Sequence, residues 1–134
     1  MEFSEEEQLR SRRLLSQALR SGEYEQGKGY LKVQNEDGVK YCCLGVACEI
    51  FRDQYPGVLK EKTAPIGSFP CQTFGLEEHS GVLPKVVSEW LGFWSQAGSF
   101  SPSESLTGLN DVGVGFSEIA QIIDQEPGLL LTRI

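Results

Sequence analysis

Apolar residues recur at helical spacing in four separated segments of the chain. In the first of them Leu15 and Leu19 belong to one apolar stripe, and Ser4 followed by Glu7 has the pattern of a capping box. Acidic residues also crowd the start of this segment, where the helix dipole favours negative charge. The pattern predicts a first helix over residues 4–21.

The second segment contains two adjacent cysteines and then a strongly apolar run. Leu44, Ala47, Cys48 and Phe51 fall at positions i, i+3, i+4 and i+7, which places them on one helical face. The spacing predicts a second helix over residues 44–54. The rest of the chain is expected to be organised around this helix.

Two short alternating runs at 30–33 and 39–42 flank a polar stretch that ends in Asp37-Gly38. An Asp-Gly pair between β-rich runs is a strong hairpin signal. A further alternating run predicts a short strand at 69–74, within a Gly- and Pro-rich section that is otherwise hard to interpret.

Two more helices are predicted towards the end of the chain. The first begins near Pro84, and its broad apolar stripe consists of Val86, Val87, Trp90, Leu91 and Trp94. The second has an apolar stripe made by Phe116, Ile119, Ala120 and Ile123. Between them, residues 95–108 are rich in Ser, Gly and Pro and are expected to form a flexible loop.

These elements predict a small α+β fold in which about four helices pack on a short antiparallel hairpin or a three-stranded sheet. A chain of 134 residues is expected to form one domain over residues 1–134. At this length a domain buries roughly 65–70% of its unfolded surface.

The charge and hydropathy of the chain argue against broad nucleic-acid binding and against a membrane-spanning segment. The net charge of −7 argues against broad nucleic-acid binding, although Arg10, Arg12, Arg13 and Arg20 give the first helix a local basic character. No apolar run is long enough to span a membrane, and the acidic first residues lack the pattern of a secretory signal. We therefore expect a cytoplasmic protein without membrane contact.

Four segments follow one another in a recognisable order, with the sequences LRSGEYEQ at 19–26, YCCLGVAC at 41–48, LP and WLG within 83–92, and LND followed by FSEIA within 109–120. In this order they resemble a group of small, largely uncharacterised proteins of phages and bacteria. The resemblance implies an accessory or counter-defence role and no particular chemistry. A serine often precedes the phenylalanine of the last segment in that group, and Gly115 stands there in this chain.

Thiol catalysis is one interpretation of the cysteine pair. Cys42 or Cys43 would be the nucleophile, His79 the base, and Asn110 or Asp111 the group that orients it. A helix N-terminus near Cys43 would lower its thiol pKa. The competing interpretation is that the cysteines pack in the core. No C-x-x-C spacing is present, so no metal site is predicted.

Non-catalytic binding is the interpretation that we prefer. Ligand contacts are predicted for polar and aromatic side chains, namely Arg20, Tyr24, Gln26, Tyr41, Cys42, Trp94, Asn110 and Asp111. Asn110 and Asp111 lie between glycines and are equally typical of a turn or a helix cap. No phosphate-binding loop motif is present, and no cofactor is predicted.

The predicted function is therefore a phage-type accessory protein that acts as a small homo-oligomer and binds a small polar ligand. With the phage resemblance, that ligand is expected to be a nucleotide-derived immune signal, sequestered unchanged in the host cytoplasm. Two alternatives remain open. One is the cysteine-dependent enzyme, and the other is an acidic protein-binding inhibitor that would use the net charge of −6 carried by residues 41–134.

Overall fold

A computed structural model describes residues 2–35, 38–59, 61–66, 69–74, 82–128 and 130–131 of the protein. Five helices and four strands occur in these ranges. In chain order they are α1 (Glu5–Ser21), β1 (Lys32–Asn35), β2 (Gly38–Tyr41), α2 (Cys43–Gln54), β3 (Glu61–Ile66), β4 (Phe69–Phe74), α3 (Lys85–Leu91), α4 (Leu106–Asp111) and α5 (Phe116–Gln125). The predicted α+β fold is confirmed.

Helix α1 starts and ends as its sequence predicts. The Ser4 hydroxyl accepts a hydrogen bond from the Glu7 backbone N–H at 3.1 Å, and Gly22 ends the helix in the left-handed conformation with φ of 79°. With 17 residues α1 is the longest described helix. None of the helices that the structure describes is both long and apolar enough to cross a membrane.

The four strands form one antiparallel sheet with the order β2-β1-β4-β3. The predicted hairpin pairs Lys32 with Tyr41 and Val33 with Lys40, and the predicted strand at 69–74 is β4. Strand β3 was not predicted, because Pro65 within it is a poor strand residue. In the pairing, Pro65 lies opposite Pro70, so neither residue needs to donate a ladder hydrogen bond to the other.

Helix α2 lies at the centre of the helical layer. It packs against α1, α3 and α4, and every residue from Cys43 to Cys48 is buried. Phe51 continues the core through ring contacts with Tyr55 at 5.0 Å and Trp90 at 5.5 Å between centroids. The prediction that α2 organises the fold is thus consistent with its central position.

One predicted loop differs from the structure, and the 110–111 pair, interpreted as a turn or a helix cap, lies at the end of a helix. Helix α4 starts inside the segment that was expected to be a loop, with the Ser105 hydroxyl accepting from the Gly108 N–H at 3.0 Å. Leu106 is fully buried, which ties this segment to the core. Asn110 and Asp111 therefore end a short helix and do not form a free turn. A six-residue helix with three polar residues is too short to show helical periodicity.

Replacement of Gly115 by serine is expected to stabilise the protein by a few tenths of a kcal/mol. Gly115 is the N-cap of α5 and makes no side-chain capping bond, and its extended backbone (φ −69°, ψ 157°) suits a serine cap. A side chain there meets nothing within 4 Å. Urea unfolding of both proteins, followed by tryptophan fluorescence, measures the difference. A clear loss of stability would show that this N-terminus is not as open as described.

Candidate functional site

Six of the predicted ligand-binding residues come together where α2 begins. They lie on three pieces of chain: the 24–29 loop, the end of β2 with the start of α2, and the end of α4. Backbone hydrogen bonds join the first two pieces, because the Tyr41 N–H donates to the Glu25 carbonyl at 2.8 Å and the Gly27 N–H donates to the Tyr41 carbonyl at 2.7 Å. The residues in question are Tyr24, Gln26, Tyr41, Cys42, Asn110 and Asp111.

Asn110 is fully buried and is hydrogen-bonded to each of these pieces. Its Oδ1 accepts from the Gln26 Nε2 at 2.9 Å and from the Cys43 backbone N–H at 3.2 Å, and its Nδ2 donates to the Gly27 carbonyl at 2.7 Å. We call Gln26, Gly27, Cys43 and Asn110 the Asn110 cluster.

The Asn110 cluster replaces a cap that α2 does not have locally. Cys42, the N-cap residue, makes no side-chain capping bond. Asn110 reaches the first N–H of the helix from α4 and satisfies a donor that the helix itself leaves without a partner. The Gln26 Nε2 also donates to the Val114 carbonyl at 2.7 Å, so both of its N–H groups are hydrogen-bonded within the protein. These groups hold the fold together and have little capacity left for a ligand.

Of the six residues brought together here, Asp111 is the exposed one and Tyr24 is one of three that are half-buried. Asp111 is exposed and accepts the Gly29 N–H at 2.7 Å, which holds the 24–29 loop against α4. Tyr24 is half-buried and contacts the Tyr41 ring edge-on at 5.4 Å between centroids. Burial raises the pKa of Tyr24, and the Glu49 and Asp53 carboxylates add to the rise, so the phenol is neutral near pH 7.

The three described thiols are buried, and burial raises the pKa of each. Cys42 reaches about 11, because its loss of solvent outweighs hydrogen bonds from the Gly45 and Leu44 backbone. The pKa of Cys43 lies well above its usual value for the same reason, and its Sγ is 3.6 Å from the Leu106 carbonyl. Cys43 does open a helix, as expected, but the predicted fall in its pKa is overcome by burial. His79 lies outside the described residues.

Arg20 and Trp94 lie away from the Asn110 cluster. The Arg20 guanidinium donates to the Ser16 hydroxyl and to the Asp124 carboxylate, both at 2.6 Å, and so links α1 to α5. Partial burial alone would raise the pKa of Asp124, but the bonds from Arg20 and Ser16 lower it overall. Trp94 follows α3 and is 65% exposed, whereas Trp90 is fully buried. The eight predicted ligand-binding residues therefore do not form one site.

A different concavity runs along α1, and we call it the α1 trough. Its first part, of about 380 Å³, is lined by Glu2, Phe3, Gln8 and Glu89. Its second part, of about 330 Å³, shares Gln8 with the first and also contacts the ends of α3 and α5. The third part, of about 380 Å³, shares Leu9, Arg12 and Glu126 with the second.

Arg12 forms the floor of the α1 trough and is only 9% exposed. Its Nη1 donates to the Leu91 carbonyl at 2.7 Å, and its Nη2 donates to the Glu126 carboxylate at 3.1 Å. Its Nε, in contrast, is buried and has no hydrogen-bond partner among the described residues. An unsatisfied buried donor is costly, at about 1–3 kcal/mol, and calls for an explanation such as a bound water or ion. Among the described residues the Nε1 of the core residue Trp90 also lacks a partner.

Side chains of α1 also complete the last turn of α3 beside the trough. Gln8, Ser11 and Arg12 donate to three consecutive carbonyls, those of Glu89, Trp90 and Leu91, at 3.0, 2.7 and 2.7 Å. The Trp90 and Leu91 carbonyls have no partner within the helix, whereas the Glu89 carbonyl also accepts the N–H of the C-cap residue Gly92 at 3.1 Å. The bond to Leu91 helps to fix the Arg12 side chain in the floor of the trough.

Sequence reasoning missed Glu126 and the role of Arg12. The basic character of α1 was visible, but the carboxylate that faces Arg12 is 114 positions away in the chain. No spacing rule connects residues so far apart. The one local signal was Arg12 itself, an arginine next to the apolar stripe of an otherwise ordinary amphipathic helix.

Metal binding finds no support, since the described residues contain no group of three or more His, Cys, Asp or Glu side chains placed to hold an ion. No curated protein and no solved structure matches the chain. A family model described as a domain of unknown function (DUF8296) matches residues 8–127. The match includes the Asn110 cluster and most of the α1 trough, and the chain belongs to this family of domains of unknown function.

Proposed function

We propose that the protein is a non-catalytic, phage-type accessory protein that binds a small polar ligand in the α1 trough. The observation that carries the proposal is the buried Arg12, whose Nε lacks an acceptor in a concavity where half of the lining residues are charged. Each part of the trough has a volume in the range of small-molecule sites, roughly 300–1,000 Å³.

Catalysis through the cysteine pair receives little support from the geometry. A nucleophilic cysteine needs a thiolate that solvent and substrate can reach. Cys42 and Cys43 are at most 2% exposed, and both have a raised pKa.

In the folded protein, Cys42, Cys43 and Cys48 are expected to resist iodoacetamide at pH 8 and to react after unfolding in guanidinium. The reason is that burial keeps all three thiols protonated and inaccessible. Peptide mass spectrometry reads each site separately and leaves out Cys71, whose side chain lies outside the described residues. Rapid alkylation of Cys42 or Cys43 in the native protein would restore the thiol-enzyme interpretation.

The wider role is counter-defence, which the phage resemblance suggests. In this form of the proposal the ligand is a nucleotide-derived immune signal that the protein sequesters in the host cytoplasm and releases unchanged. Phe3 at one end of the trough supplies an aromatic face for a base, and Arg12 and Arg13 supply positive charge.

Native mass spectrometry of the purified protein, before and after heat denaturation, tests binding directly. We expect a bound small molecule in the native spectrum and the same molecule, chemically unaltered, in the supernatant after denaturation. The native spectrum also gives the oligomeric state. A product that differs from the added ligand would contradict sequestration, and a protein that takes up nothing from a host metabolite extract would contradict binding.

A second candidate function is inhibition of a basic protein partner. It is favoured by the carboxylates of the trough, since Glu2, Glu5 and Glu89 are exposed and the chain has a net charge of −7. Affinity that depends on such charges falls steeply with added salt. Binding to a host protein that is insensitive to salt would count against this function.

A further inference from the structure

We infer that the α1 trough binds a zwitterion of the amino-acid type, whose carboxylate takes the place of Glu126 on Arg12 while its ammonium group binds the displaced Glu126 carboxylate. This inference rests on the proposed binding of a small polar ligand in the trough, and it names a ligand class different from the nucleotide-derived signal of the counter-defence form. It depends on three features of the trough. The Arg12 guanidinium has one donor without a partner, the Glu126 side chain is partly exposed and can move, and acidic side chains outnumber basic ones.

One edge of the Arg12 guanidinium carries two donors, Nε and Nη2, and Glu126 binds only Nη2. In a planar guanidinium, the Nε–H and one Nη2–H point in parallel and can donate to the two oxygens of one carboxylate. Glu126 contacts Nη2 through one oxygen at 3.1 Å, and Nε has no partner. A free carboxylate would satisfy both donors at once. The exchange therefore replaces a one-point contact by a two-point contact.

Glu126 is placed so that it can move. Its side chain is 38% exposed, and it is the C-cap residue of α5. Its backbone has φ of 49°, and it is the one non-glycine residue with positive φ among those described. A left-handed conformation is unfavourable for glutamate, so the Arg12 contact holds a residue whose local conformation is strained.

The charge balance of the trough favours a zwitterion over a simple anion. In the second part of the trough, where Arg12 contacts Glu126, two carboxylates, those of Glu5 and Glu126, line the concavity against one guanidinium, that of Arg12. An anion that displaced Glu126 would leave two carboxylates side by side, and like charges at short range repel. A ligand that also carries an ammonium group gives the displaced Glu126 a partner.

The remaining lining residues suit the rest of such a ligand. Glu5 lines the same part of the trough as Glu126 and provides a second carboxylate for the ammonium group. Leu9 and Leu131 line it as well and offer apolar contact to a side chain. The second part of the α1 trough thus presents cationic, anionic and apolar groups within one concavity, as an amino acid requires.

The test is calorimetric titration of the full chain with each proteinogenic L-amino acid and with adenosine monophosphate as an anionic comparison. For the tightest amino acid, two analogues are titrated next: the amine without the carboxylate and the acid without the amine. The variant is Glu126→Gln. Its matched control is Glu118→Gln, which removes the same charge from an exposed position of the same helix. Circular dichroism verifies that both variants keep the fold.

We expect the zwitterion to bind wild type at least about tenfold more tightly than either analogue. In Glu126→Gln the advantage of the zwitterion over the acid should fall, because the ammonium group keeps only Glu5 as a partner and the acid loses its competitor for Arg12. In Glu118→Gln the advantage should be unchanged.

Three results would overturn the inference: equal affinity of zwitterion and acid, an unchanged ratio in Glu126→Gln, or no binding of any amino acid. Binding of adenosine monophosphate alone would overturn it as well, while leaving the proposed function intact. The proposed function fails separately, if the protein takes up nothing from a metabolite extract.

Discussion

Replacement of Gly45 by alanine is expected to cost about 4 kcal/mol or more of the free energy of unfolding, and so to bring the protein close to unfolding at 37 °C. An ideal Cβ on Gly45 would fall far inside van der Waals contact with the Leu31 carbonyl oxygen and 3.2 Å from the Leu31 Cα. The obstacle is main chain, which cannot rotate away as a side chain can. That carbonyl also accepts the Cys42 N–H at 3.2 Å, so a displacement of α2 breaks this bond too.

The matched control is Gly115→Ser, which adds a larger side chain where nothing lies within 4 Å. Urea unfolding of both variants, followed by the fluorescence of buried Trp90, gives the two free energies. A loss below about 1 kcal/mol in Gly45→Ala would be too small for the 1–3 kcal/mol or more that overpacking costs. It would show that α2 does not lie against Leu31.

Replacement of Asn110 by leucine is expected to lower the free energy of unfolding by about 3 kcal/mol. The apolar side chain has a similar size but leaves the buried Cys43 N–H without a partner, at about 1–3 kcal/mol, and removes the bond to the half-buried Gly27 carbonyl as well. Asn110→Asp should not rescue stability at pH 7. It keeps an acceptor for Cys43, but it buries a charge and turns an oxygen towards the Gly27 carbonyl.

Asp111→Asn provides the comparison for these variants, since it alters the neighbouring residue of the same helix. Asp111 is exposed, and asparagine keeps an oxygen that can accept the Gly29 N–H. We expect its stability to stay within about 0.5 kcal/mol of wild type. If Asn110→Leu and Asp111→Asn had equal effects on the urea midpoint, the cross-chain capping of α2 by Asn110 would be refuted.

Secondary-structure elements that are determined by residues close together in the chain were predicted well from the sequence. The stripe of α2, the cap of α1 by Ser4 and the hairpin before α2 depend on residues within a few positions of one another. Patterns of this kind are visible in a single sequence because helix and strand periods are fixed. The fold class followed from them.

The parts that were missed depend on contacts between distant residues or on unfavourable local signals. Strand β3 contains a proline, and α4 has six residues, so neither shows a clear period. The bond from Asn110 to Cys43 spans 67 positions, and the one from Arg12 to Glu126 spans 114. The sequence marked Asn110 as notable, but only the fold shows that its amide is used within the protein.

Two of the segments that carry the family resemblance have structural roles. The YCCLG and LND segments meet in the Asn110 cluster, where Gly45 permits close packing and Asn110 caps α2. Both features explain the residue types by structure alone, without a ligand. The α1 trough lies between α1 and the ends of α3 and α5, apart from this cluster.

The ligand is proposed to bind in the α1 trough, whereas the Asn110 cluster stabilises the fold. An NMR titration of isotope-labelled protein with the small molecule recovered from a host extract tests this claim most directly. We expect the largest amide shifts at trough residues such as Gln8, Arg12 and Glu126, and small shifts at Cys43 and Asn110. The opposite distribution, with the largest shifts at Cys43 and Asn110 and none along α1, would contradict the claim.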